Sequence, residues 1–346
     1  MNKLKLFLIV ATISVIFSNL IFADGGNRVG TAGSTQLLIP VGARGIAMNS
    51  TTLTDSKGVE ALFWNPANLA REEGTSVTFT HSSYIADIGV DYGALGFNLG
   101  KLGSIALSIK SLSIGDIAVT TVDNPDGNGQ FFQPKFITTG LTYSIMLSDR
   151  ISVGVTTNLN FEKMAQVSKS NVSFNVGISY TNLANVNGLA LGIVLKNFGT
   201  QSSFEGTGLN ILSKGEYGYL RQGNNYYTVQ AASEELPTTL ELGLGYHFAF
   251  GQDNGLQLNG VFQNSNFNYD EYRVGLEYAF QDMIFLRGGY LFMPGTTDTN
   301  AKETTLTGGL GVKFGLGGNL KVLIDYAYQK RVLFNDTHTF GVSLAF

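Results

Sequence analysis

The chain of 346 residues contains no cysteine, which excludes a disulfide framework, a thiolate nucleophile and a Cys-ligated zinc. Charge is scarce as well: 14% of residues are Asp, Glu, Lys or Arg, against about a quarter in an ordinary soluble domain. With Lys+Arg 22 against Asp+Glu 26, the formal net charge of −4 offers no basic patch to exchange for counterions, so a nucleic-acid partner is not expected. Three histidines, His81, His247 and His338, are too few and too scattered for a metal site, and no cofactor is expected. Beyond the amino terminus no apolar run approaches the ~20 residues of a transmembrane helix. Disorder is excluded in turn, because 44% hydrophobic residues are ample material for a core.

The amino terminus has the layout of a secretory signal peptide over residues 1–23. Asn2, Lys3 and Lys5 form a basic head, Leu6 to Val15 an apolar run, and Ile16 to Ala23 leads into polar Asp24-Gly25-Gly26-Asn27. A membrane anchor helix over Leu4 to Phe22 is the competing reading, since that stretch is nearly long enough to span.

From Thr75 onward the dominant signal has period two. Ile151, Val153, Val155, Leu159 and Phe161 alternate with Ser152, Gly154, Thr156, Asn158 and Glu162. Leu240, Leu242, Leu244 and Tyr246 alternate with Glu241, Gly243, Gly245 and His247. Successive strand side chains point to opposite faces, so each segment has one apolar and one small or polar face. In a soluble sandwich the apolar face would meet a core; in an outer-membrane barrel it meets lipid.

Three features favour the barrel. About fourteen such segments occur, most of them ~9–12 residues long, the span of a tilted transmembrane strand. Short turns, such as Gly100-Lys101 and Gln281-Asp282, alternate with longer connections at 113–135, 163–171, 199–236, 294–303 and 330–336. Periplasmic turns and extracellular loops require that alternation, with both ends of the sheet periplasmic. Finally, Phe340, Val342, Leu344 and Phe346 alternate with small residues up to the last position, an apolar edge that only ring closure protects. The expected fold is therefore all-β, a ~14-stranded antiparallel transmembrane barrel over 75–346.

A ring of ~14 strands is too wide for its own side chains to close. The segment 24–74 is the expected plug. It reads as short helices and turns: Asp55 as a cap for Ser56 to Phe63, then Asn65 as N-cap with Pro66 at the first helical position. Gly42, Arg44 and Gly45 suit a tight path through a crowded interior. Trp64, the single tryptophan, is expected to anchor the plug against the barrel wall.

Two stretches carry a resemblance. Thr31-Ala32-Gly33-Ser34-Thr35-Gln36-Leu37-Leu38-Ile39-Pro40-Val41-Gly42-Ala43-Arg44-Gly45-Ile46-Ala47-Met48 is the first, and Gly58-Val59-Glu60-Ala61-Leu62-Phe63-Trp64-Asn65-Pro66-Ala67-Asn68-Leu69-Ala70 the second. Together they resemble the opening of the PorV/PorQ family of outer-membrane barrels, similar in architecture to FadL-type channels. The resemblance implies residence in the outer membrane of a Gram-negative bacterium, among its lipid. It also implies a place in type IX secretion, with partners among the secretion components and the C-terminal sorting domains of cargo. Asn49-Ser50-Thr51 departs from the small residues usual after the Met48 position, and Asn68 from the commoner Gly.

Charges of mixed sign fall on the lumen face: Glu162, Glu241, Arg273, Glu277, Lys313 and Asp325, with His247 beside them. A network holding the plug is the bland account, a selectivity lining the sharper one. His81 and Ser83 share a strand face, but the phase places them toward lipid; Asp87 and Asp91 lie nearby in the chain without being placed to complete a catalytic set, and no enzyme activity is expected. The long connection 199–236, with Tyr217, Tyr219, Tyr226 and Tyr227, is the best candidate for contacts with a partner. Two functions follow: a plugged barrel that engages exported proteins through its loops, or a FadL-like channel for hydrophobic small molecules.

Overall fold

The computed structural model describes residues 30–214, 224–251, 253–293 and 304–346. Among the described residues, eighteen strands follow one another. They are β1 (Thr75–Ser83), β2 (Gly89–Asn98), β3 (Ser104–Ser113), β4 (Ile117–Ala118), β5 (Phe131–Phe132), β6 (Lys135–Met146), β7 (Ile151–Met164), β8 (Val167–Thr181) and β9 (Leu189–Gly199). Next come β10 (Asn210–Lys214), β11 (Asn224–Thr228), β12 (Thr239–Phe250), β13 (Asn254–Ser265), β14 (Glu271–Phe280), β15 (Ile284–Phe292), β16 (Thr304–Gly315), β17 (Lys321–Arg331) and β18 (Thr337–Ala345). Fourteen of them close an antiparallel barrel in which each strand pairs with its sequence neighbours in the ring; β4 with β5 and β10 with β11 form hairpins of their own. Pairing of β1 with β18 completes the ring, and Phe346 N–H donates to Thr75 O at 2.9 Å beside the seam.

Alternation decides which way each side chain looks. On β7, Val155 and Leu159 stand exposed on the outer wall, while Ser152, Thr156 and Asn160 are buried inside. Phe79, Leu107, Leu141, Val274, Leu310 and Phe340 continue that apolar exterior around the ring, and each is at least half exposed. In lipid such exposure is burial, and ring closure leaves no backbone edge unpaired in hydrocarbon. No helix among the described residues is long and apolar enough to cross a membrane. Strands do the crossing.

Two expectations change at the long-loop end, which barrel geometry places outside the cell. The stretch 163–171 is not a long connection: β7 and β8 continue to Met164 and Val167 and turn through Ala165, whose φ is 49°. Their upper ends need no apolar face because they rise above the hydrocarbon, and polar pairs such as Glu162 opposite Lys169 hold the ladder there. The interior, expected to be small and polar, also carries an apolar patch. Val90, Tyr92, Ala94, Ala106 and Leu112 of β2 and β3 look inward and pack on Val41, Val59, Leu62 and Leu69. A plug of short helices brings its own apolar side chains, and they require a partner inside the wall.

Candidate site: the hatch and the lumen wall

Residues 30–74 form a hatch that descends through the lumen. At the long-loop end Gly30 N–H donates to Phe267 O at 3.4 Å and Gly33 N–H to Glu235 O at 2.9 Å. The chain then passes through a short helix at Ala43–Ala47, a second at Ala61–Trp64 and a 3-10 helix at Pro66–Arg71, before Gly74 meets Phe346 at the short-turn end. These helices are too short to be stable alone and exist because the wall packs around them.

Close approach is achieved with glycine on the inner wall. A Cβ at Gly154 would sit 2.4 Å from the Pro66 carbonyl carbon, and one at Gly192 would sit 2.8 Å from Leu53 O. Gly96, Gly177, Gly243, Gly275, Gly289, Gly309 and Gly341 likewise face Val59, Asn65, Leu53, Thr51, Asn49, Ala47 and Ala43 respectively. The hatch backbone therefore lies almost against the strand backbone on most sides of the ring. Since wall glycines alternate with apolar residues for reasons of strand phase, their positions read as an ordinary small-residue face until the hatch is laid over them.

Arg44 is the centre of the principal ionic cluster. It is buried and grips Glu277 of β14 with two bonds, from Nε at 2.8 Å and Nη2 at 3.1 Å. Its Nη1 donates to Asp55 O at 3.1 Å, and Nη2 also pairs with the Asp55 carboxylate. Arg287 of β15 bridges Glu277 at 2.6 Å to Asp325 of β17 at 2.5 Å. Glu60, packed against Gly42, accepts from Gly45 N–H at 3.1 Å; burial pushes its carboxyl up to about 7, against the pull of Arg44. A bidentate Arg–carboxylate pair inside protein is both directional and costly to break. Gly42 makes room for this cluster, with φ of 85° at the start of the Ala43–Ala47 helix and the Glu60 side chain lying over it.

The Asn-Pro step is a second fastening. Asn65 Oδ1 accepts from Ala67 N–H at 3.1 Å as the N-cap, with Pro66 at the first position of the 3-10 helix. Its Nδ2 donates to Leu53 O at 2.9 Å within the hatch and to Ile178 O of β8 at 3.2 Å. Asp55, by contrast, caps no helix: its carboxylate is engaged by Arg44 and by Asn259 at 2.7 Å, and residues 56–60 hold only a 3-10 turn at Gly58–Glu60. Trp64 is buried, but its ring rests on Gly45 and on the edge of Phe63 at 4.9 Å, so it braces the hatch internally more than against the wall. Lys196 of β9 lies over it from the wall, 5.1 Å from the ring centre.

The other lumen charges do not converge on one site. Glu241 pairs with Lys196 at 3.0 Å and Arg273 with Glu271 of its own strand, both toward the outer end. Glu162 takes Gln36 at 2.8 Å and Lys169 at 3.3 Å, with Ser34 and Glu234 completing the group. Lys313 pairs with Asp282 at the opposite rim. His247 lies exposed at that same periplasmic mouth, opposite Gln257 and against Gly255. Six residues of strand, ~20 Å, separate it from Glu241, so the two are not neighbours. Sequence reasoning passed over Lys169, Lys196 and Arg287. Each is a charge on the inward phase of a strand whose outward phase is apolar, and that signal marks them.

On the outer face, Asp91 stands beside His81: Nδ1 and Oδ1 are 2.7 Å apart across the β1–β2 register, with both side chains exposed. Of the loop tyrosines, Tyr226 and Tyr227 lie exposed on the β10–β11 hairpin with Ile211 and Leu212; Tyr217 and Tyr219 fall outside the described residues. Among the described residues, no group of three or more His, Asp or Glu side chains is placed to hold a metal.

The spaces that remain differ in character. A chamber of about 610 Å³ with mixed lining, including Arg71, Glu72, His247 and Asp282 beside Ala279 and Phe285, lies at the short-turn end. A smaller one of about 130 Å³ lies above Trp64, among Lys196, Glu241, Glu271 and Arg273. The apolar concavity, about 720 Å³, is lined by side chains of the lipid-facing wall, including Leu244, Leu258, Val274, Leu276 and Leu306.

A closed fourteen-stranded barrel with an apolar exterior and an N-terminal hatch inside defines a class, the FadL-like outer-membrane barrels. The fold is similar to that of the Pseudomonas putida toluene transporter TodX, with a TM-score of 0.55 at 11% identity over 88% of this chain and 98% of that one. It is similar also to the CymD monoaromatic hydrocarbon channel (0.51, 13%, 89% and 98%) and to a Pseudomonas aeruginosa FadL homologue (0.51, 12%, 88% and 98%). Within that class the sequence is more specific. The family described as type IX secretion system protein PorV matches residues 22–265, more than half of the chain, and this protein belongs to that family. It is an outer-membrane protein of a Gram-negative bacterium. Comparison with curated proteins gives no match.

Proposed function

We propose that this protein is a stoppered receptor of the type IX secretion system, which engages exported proteins on its extracellular loops and passes nothing through its lumen. The observation that carries this reading is the hatch itself. It crosses the whole lumen, is bonded to the outer loops at Gly30 and Gly33, and is gripped at mid-height by Glu277. Opening it would break a buried bidentate ion pair along with its wall contacts. What is free to act lies outside, on the hairpin bearing Ile211, Leu212, Tyr226 and Tyr227. Rigid aromatics of this kind give contact area at little cost in ordering. The partners would be the C-terminal sorting domains of cargo and other secretion components.

Cell-surface retention of a secreted cargo tests it. Replacing residues 210–228 with a Gly/Ser linker should release cargo from the outer membrane while the barrel still assembles; retention unchanged by that replacement overturns the reading. The alternative, a channel for hydrophobic small molecules, would draw on an apolar passage through the lumen. The large apolar concavity here faces lipid, whereas in the chambers above and below the hatch charged and amide side chains interrupt the apolar ones.

A further inference from the structure

Lys110 projects inward from β3 and is buried. Its Nζ donates to two hatch carbonyls, Gln36 O at 2.8 Å and Ile39 O at 3.2 Å, and lies 5.2 Å from the centre of the Phe63 ring. Lys196 lies over the same ring, also at 5.2 Å, and has its own carboxylate in Glu241. Among the described residues, then, two ammonium groups share one ring and one carboxylate, and no Asp or Glu pairs with Lys110. A buried ammonium held only by neutral dipoles is expensive, and that cost falls if an anion stands beside it.

Space for one exists. A cavity of about 40 Å³ adjoins Lys110, walled by polar Ser108, Asn158 and Asn175 together with apolar Leu37, Leu62 and Phe63. One water-sized particle needs ~10–15 Å³ by this measure, so the cavity has room for a small monovalent ion. Hydroxyl and amide groups can donate to such an ion. Asn175 Oδ1 accepts from Asn197 N–H at 2.8 Å, which leaves its Nδ2 amide to the cavity it lines.

We propose that this cavity is a halide-sized monovalent anion site, in which the anion is the counter-ion of Lys110 and so secures the clamp that Lys110 places on the hatch at Gln36 and Ile39. The site is separate from the cargo-facing loops and from the Arg44 cluster.

Crystals of the detergent-purified protein grown in sodium bromide test this directly: an anomalous peak within hydrogen-bond distance of Lys110 Nζ is expected. Water alone in the cavity, with no anomalous peak, overturns the proposal. A solution measurement supplies a second arm. The unfolding midpoint of the wild type should be higher in sodium bromide than in equimolar sodium gluconate, whose anion is too large to enter. Asn175→Asp keeps the acceptor for Asn197 N–H and builds in a carboxylate, so it should fold and lose that halide dependence. A halide effect undiminished in Asn175→Asp would place the anion elsewhere and sink the assignment.

Discussion

In the barrel wall, outward positions recur at every second residue of a strand and are mostly apolar, whereas the hatch from Gly30 to Gly74 buries polar and apolar side chains with no period at all. Thr51, Thr52 and Asn65 are as inaccessible as Leu53 and Met48. The wall is held by backbone ladders that any sequence of the right pattern can form, and its side chains have only to be soluble in lipid. The hatch has few ladders of its own and depends on particular contacts: glycines beneath it, Asn65 across to Ile178, and Arg44 into Glu277. Substitutions should therefore be tolerated on the outer wall and felt on the inner one, even where the residue changed is the same.

Glycine gives the sharpest contrast and the largest expected effect. Gly154→Leu would drive its side chain into Pro66, while Gly260 on the outer phase has nothing within 4 Å of an added Cβ. The first should expel the hatch from an otherwise assembled barrel, read as protease cleavage within 30–74; the second should leave the digest unchanged. Equal digestion of both variants would erase the distinction between the faces. Next comes Arg44→Met, which leaves Asp55 and Glu277 short of a partner and should destabilise the seated hatch by about 3–5 kcal/mol. Adding Glu277→Gln should recover part of that loss, because it lowers the excess of buried negative charge that Arg287 alone must then balance; strictly additive losses in denaturant titrations would argue that the two side chains do not interact.

Acidity should act on the hatch more than on the wall. Burial, opposed by Arg44, raises Glu60 to about 7 from the usual 4.5, so the seated hatch binds more protons than a released one between those values. Its stability is full below about 4.5, falls as pH rises through that window, and levels off above about 7. Hatch protection from protease should track this fall in the wild type and not in Glu60→Gln; a wild type flat across the window contradicts the assignment. Smallest in stability is Tyr226→Ala, expected to shift the unfolding midpoint by no more than about 0.5 kcal/mol while weakening cargo retention. A large loss of stability instead would mean that this exposed side chain has a structural job.

The same contrast explains what could be read from the sequence. Period two located the strands and their faces because lipid and lumen impose it on every residue, and β12 or β14 could be placed within a residue or two of Thr239–Phe250 and Glu271–Phe280. Motif spacing brought out Asn65 and Pro66, since an N-cap is a local event. Glu277 and Asp325 were recognisable as lumen charges, but not as partners of Arg44 and Arg287: the Arg44–Glu277 contact closes over 233 positions, and no local signal spans that distance. Asp55 misled for a related reason. Its place before an apolar run suits a helix cap, yet Arg44 takes the carboxylate. The extension of β7 and β8 past Glu162 was missed because strand above the membrane has no apolar face to announce it.

Ion conductance in planar lipid bilayers tests the central claim, that the hatch fills and seals the lumen from within, more directly than any other measurement. The wild-type barrel should be electrically silent, and a barrel lacking residues 30–74 should show steady large-amplitude conductance through the lumen thus emptied. A steady open current from the wild type, equal to that of the hatch-less barrel, would contradict the account.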